Sequence, residues 1–78
     1  MPRFYFNLRN SSVLDDPEGR ELPNALAARS HAVAQARALA SDDVRSGHLD
    51  LKHRIEIADE DGTILLVVTF REAVTISY

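Results

Sequence analysis

His48-Leu49-Asp50-Leu51-Lys52-His53 puts two imidazoles and a carboxylate close together, and all three are side chains that ligate metals. The spacing follows no zinc motif, and the chain has no Cys to supply thiolates. If Leu49 and Leu51 pack inward, His48, Asp50 and Lys52 face outward and His53 faces the other way, so the ligands divide. The segment therefore reads as a solvated connector, and no metal is expected. Asp59-Glu60-Asp61-Gly62 has calcium-like composition, but an EF-hand loop alternates oxygen ligands over about twelve residues before a bidentate Glu. Here an apolar run resumes at Thr63, so the acids belong to a turn. Asp15-Asp16-Pro17-Glu18 reads the same way.

Nucleophilic chemistry has little material. Ser30 and His31 are neighbours on a predicted helix, so their side chains diverge by about 100°. No G-x-S-x-G stands between a strand and a helix, and the three glycines, Gly19, Gly47 and Gly62, each sit at a turn rather than in a phosphate loop. The expectation is a protein that is not an enzyme and carries no cofactor.

Arg3, Tyr5 and Arg9 alternate onto one strand face, an aromatic and basic arrangement on which single-stranded nucleic acid can stack. Arg29, Arg37 and Arg45 follow at helical spacing. Asp42 and Asp43 interrupt that stripe, and nine basic against twelve acidic residues give a net charge of −3. A regulatory module contacting nucleic acid is therefore the alternative reading, disfavoured by charge.

The elements that must position these residues come from periodicity. Arg3 to Arg9 alternates, with Phe4, Phe6 and Leu8 on one side, as in a half-buried strand. Asn10 to Pro23 is a connector rich in turn chemistry, with a short strand expected at Arg20-Glu21-Leu22. Asn24 is an N-cap for a helix over Ala25 to Arg45, whose inner face carries Ala25, Ala28, Ala32, Ala36, Leu39 and Val44, with Val33 and Ala40 beside them. His31 falls outside that face, and Gly47 stands where a left-handed cap ends a helix. Arg54 to Ala58 and Thr63 to Phe70 read as a hairpin about the acidic turn. The tail is open: Val74, Ile76 and Tyr78 alternate as in a strand, while Arg71-Glu72-Ala73 suits a helical turn.

These elements predict a single α+β domain over residues 1–78. It has one small antiparallel or mixed sheet of three to four strands, with a single amphipathic helix packed on one face, in the order β-(β)-α-β-β. The last hairpin strand is apolar on both sides. Ile64, Leu66, Val68 and Phe70 alternate with Leu65 and Val67, and one helix covers only one face of a sheet. Either the tail folds over Leu65 and Val67, or they form an interface with Tyr5 from the first strand. A chain of this size buries only about 60% of its unfolded surface, which favours the interface.

The Met1-Pro2-Arg3-Phe4-Tyr5-Phe6 opening, Glu18-Gly19-Arg20-Glu21-Leu22-Pro23, the Ala-rich helix and the Arg54-to-Gly62 hairpin together resemble a family of short bacterial proteins classed only as a domain of unknown function. The resemblance runs through the Phe70-x-x-Ala73-Val74 ending. It implies a stand-alone bacterial domain and supplies no activity, ligand or site residue. One departure is the absence of an acidic residue near the helix start, where Ala25 to Ala28 stand. The expected function is an interaction or adaptor module. It forms a homodimer, or binds a protein partner, through Tyr5, Leu65 and Val67. No signal-like segment precedes Arg9, and the longest apolar run, Ile64 to Val68, is far short of a membrane span, so a cytoplasmic location without membrane attachment is expected.

Overall fold

The structure is a computed structural model that describes residues 1–77. Its strands are β1 (Arg3–Arg9), β2 (Val13–Leu14), β3 (Arg20–Glu21), β4 (Arg54–Ala58) and β5 (Ile64–Thr69), with helices α1 (Ala25–Arg45) and α2 (Phe70–Ala73). The five strands form one antiparallel sheet in the order β2-β1-β4-β5, and β3 also pairs with β1. The α+β architecture is as expected, with one strand more. The extra strand, β2, was hidden inside the connector. Its two residues carry no period of their own and are strands only because they pair with Leu8 and Arg9.

Alternation in β1 and β4 sends Phe4, Phe6, Ile55 and Ile57 to the face under α1, joined from β5 by Val68 and then by Phe70. The helix lies on them through Ala28, Ala32, Ala36 and Ala40, all buried. A step of four residues returns to nearly the same helix face, so these methyl groups make a seam that lets the helix backbone approach the sheet closely. Ala25 and Val44 lie outside it and are exposed, because the two ends of the helix project beyond the seam. Asn24 caps the helix by accepting from the Ala27 N–H at 2.9 Å, and Gly47 follows its C-cap at φ 90°.

After Thr69 the chain turns into the core. Thr69 and Glu72 form a reciprocal capping box, the Thr69 hydroxyl accepting from the Glu72 N–H and the Glu72 carboxylate from the Thr69 N–H. Phe70 and Ala73 are buried against α1. The helical alternative for Arg71-Glu72-Ala73 is therefore the one observed. Val74 and Ile76 lie near Leu51 and Arg71 rather than in a strand. Tyr78, the last residue of that expected alternation, lies outside the described residues.

One irregularity changes the outer face of the sheet. Ile57 pairs with Leu66, but Ala58 pairs with Ile64, so Leu65 is the extra residue of a β-bulge. The bulge shifts Ile64 out of phase with Leu66 and Val68. Ile64 therefore does not join the core face as alternation predicts; it stands opposite Ala58 and is 51% exposed.

Candidate functional site

The face of the sheet away from α1 has two halves. Toward the far end of β1 it is charged: Arg9 meets Asp15 at 2.8 Å and Glu56 at 3.1 Å, and Glu56 also accepts from Arg54 Nε at 3.2 Å. Register explains the cluster, since Arg9 stands directly opposite Arg54 and the Glu56 carboxylate bridges two like charges that would otherwise repel. Around the bulge it is apolar. Leu65 is 45% and Val67 42% exposed, beside the exposed Ile64.

Tyr5 lies on this same face, paired with Ala58, which in turn pairs with Ile64. Gly19 packs beneath its ring. A Cβ at Gly19 would lie 2.9 Å from Tyr5 Cε2 and 3.0 Å from the Phe4 carbonyl oxygen, and its φ of +70° also suits glycine alone. Of the expected interface residues, Leu65 and Val67 are neighbours on β5, whereas Tyr5 is two strands away. Ile64 is the exposed apolar neighbour that alternation missed. The unbroken apolar run from Ile64 to Val68 was its only signal, because a bulge is set by pairing with β4.

The arginines considered for nucleic acid are engaged locally. Arg3 donates to the Glu18 carbonyl oxygen at 2.8 Å and meets Glu21 at 3.4 Å; Arg37 Nε donates to the Ala73 carbonyl oxygen at 2.6 Å. Arg29 lies 3.9 Å from Glu72, and Arg45 lies 3.9 Å from Asp42. With Arg9 held between Asp15 and Glu56, Arg3, Tyr5 and Arg9 form a neutralised surface rather than a basic stripe.

On the helix side, the loop before β3 and the middle of α1 enclose a cleft of about 470 Å³, lined by Phe6, Leu14, Asp16, His31, Gln35 and Leu39 among others. His31, expected on the wet face, is half-buried there and sets its ring edge against Phe6, with centroids 4.6 Å apart. The reason is that α1 covers β4 and β5 and leaves the β1 side of the core to side chains lower on the helix flank. Gln35 Oε1 is buried without a hydrogen-bond partner among the described residues. Asp16 is fully occupied. One carboxylate oxygen accepts from Phe6 N–H at 3.2 Å, and the other accepts from Glu18 and Gly19 N–H, both at 3.1 Å. Burial pushes its carboxyl upward, but the Gly19, Phe6 and Glu18 amides and the nearby His31 outweigh that and hold it below its ordinary value. Ser30 is exposed while His31 faces the cleft, so the two do not form a nucleophile and base.

In the His48-to-His53 segment, His48 is exposed and His53 is half-buried, edge-on to Phe70 and within 3.6 Å of Asp50. Among the described residues, no three His, Cys, Asp or Glu side chains converge in a way that could hold a metal ion. Asp59 closes the acidic turn, its carboxylate accepting from the N–H groups of Asp61 and Thr63. Among the described residues, no helix is long and apolar enough to cross a membrane.

No curated protein and no solved structure matches the chain. The sequence profile of one family, described as Domain of unknown function (DUF6894), matches residues 3–71, from the first residue of β1 into α2. That span takes in the whole sheet, α1 and the bulged strand with its exposed apolar residues, and the chain belongs to the DUF6894 family.

Proposed function

We propose that this chain is a non-enzymatic interaction module of the cytoplasm that self-associates through the outer face of its sheet. The observation that carries the reading is the position of Ile64, Leu65 and Val67. They stand side by side and about half exposed, while the chain that follows turns to the opposite face to bury Phe70 and Ala73. The tail thus leaves them uncovered among the described residues. The small core adds support, because domains of this size commonly gain stability from a partner subunit. The pairing of Arg9 with Asp15 and Glu56, and of Arg54 with the same Glu56, supports it too, since it neutralises the positive charge on this face that nucleic acid would require.

Light scattering across a concentration series tests it. The expected mass is that of a dimer, and Leu65→Glu is expected to weaken association by about tenfold or more, the free energy of a well-buried leucine being about 1.5–3 kcal/mol. Leu65 is surface-exposed in the single chain, so the variant should keep its circular dichroism spectrum. A wild-type protein monomeric at every concentration refutes the reading.

A further inference from the structure

We propose that the second copy joins at the open edge of β5, antiparallel to it, so that the two sheets run on as one. The inference rests on the self-association reading and moves the contact from the outer face as a whole to its β5 margin, where Ile64, Leu65 and Val67 stand. In the strand order β2-β1-β4-β5, one side of β5 pairs with β4 and, among the described residues, the other side meets no strand. An unpaired edge is a template for another strand, and monomeric proteins blunt it with Lys, Pro, an inward charge or a bulge. Ile64-Leu65-Leu66-Val67-Val68-Thr69 has no charge and no Pro, and beyond its bulge at Leu65 it pairs regularly with β4 from Leu66 to Thr69.

Charge sets the direction of pairing. The turn entering β5 carries Asp59, Glu60 and Asp61, with the last two carboxylates exposed. The other end of the strand is flanked by exposed Lys52 and Arg71, neither of which is in an ion pair among the described residues, and the Arg71 N–H donates to the Leu51 carbonyl oxygen; Arg54, opposite Thr69, is already paired with Glu56. The acids at that end are engaged locally, Asp50 with His53, Glu56 with Arg9 and Arg54, and Glu72 with the Thr69 hydroxyl and Arg29. Two β5 strands side by side in parallel would place acid beside acid and base beside base. Antiparallel about a two-fold axis, each acidic turn lies at the basic end of the other copy, twice per dimer. The same arrangement brings Leu65 and Val67 of both copies together along the seam on the outer face.

The test is a charge swap read by light scattering at low salt. Glu60→Lys/Asp61→Lys places lysines against the partner's Arg71, and Arg71→Glu places a glutamate against the partner's acidic turn. Each variant alone is expected to dissociate about tenfold more readily than the wild type. An equimolar mixture is expected to return to the dimer mass, because both contacts of the mixed dimer are then complementary; that recovery also shows that both variants are folded. A wild-type dimer whose variants associate unchanged, or whose mixture stays monomeric, overturns edge pairing and leaves self-association standing. A wild type that is always monomeric overturns both.

Discussion

The Asp16 carboxylate accepts three backbone hydrogen bonds, from Phe6 on one oxygen and from Glu18 and Gly19 on the other, and its own N–H donates to Asn7 Oδ1 at 2.9 Å. It ties the connector to β1 in the gap between β2 and β3. Asp16→Asn exchanges one acceptor for an N–H₂ group facing a backbone donor, and is expected to cost about 1–2 kcal/mol in urea unfolding at neutral pH. The carboxyl is held below its ordinary value of 3.8 in the folded chain, so its contribution is complete above that value and is lost as pH falls through the lower, folded one. The gap between wild type and variant should therefore close in strong acid; a gap of constant size across that range contradicts the assignment. The Asp15-Asp16-Pro17 run announces a turn from sequence, but not the bond to Phe6 across ten residues, which exists only once the strands have met. His31 was obscure for a similar reason: its helix position is known from the period, its environment only from where the sheet ends.

At the scale of elements, the alanine seam of α1 decides how closely the helix sits on the sheet. Ala36 is fully buried in it, so Ala36→Leu must move the helix or bend the side chain out of a rotamer, at about 1–3 kcal/mol. Val44→Ala, on an exposed part of the same helix, is expected to stay within about 0.5 kcal/mol. Thermal unfolding of the pair checks this, and equal effects would mean that the seam is loosely packed. The seam, the Asn24 cap, β1, β4 and β5 are legible in sequence because each follows from a local period or a local hydrogen bond. The β2 strand and the Leu65 bulge are not, since both are products of register with a strand far away in the chain. So the exposure of Leu65 and Val67 could be read from alternation, while that of Ile64 could not.

For the whole molecule, a single helix on a single sheet leaves one face without a cover, and the apolar residues of β5 are its consequence. If a second copy joins beside those residues, folding and association are linked, and the melting temperature rises with protein concentration. Calorimetry over a wide concentration range should show that rise for the wild type and the same rise displaced to about tenfold or more higher concentration for Leu65→Glu. A flat response in both would mean that the folded chain stands alone.

The two margins of the sheet are unlike. Among the described residues that of β5 is open, whereas that of β1 is filled by two short strands and, between them, by the Asp16 carboxylate on the Phe6 amide. In the language of polymer chemistry such a molecule is monofunctional. Joining two of them through β5 consumes both reactive ends, so growth terminates after one step. A charge-free strand that would seed fibrils in a sheet open on both sides can be carried here without that hazard.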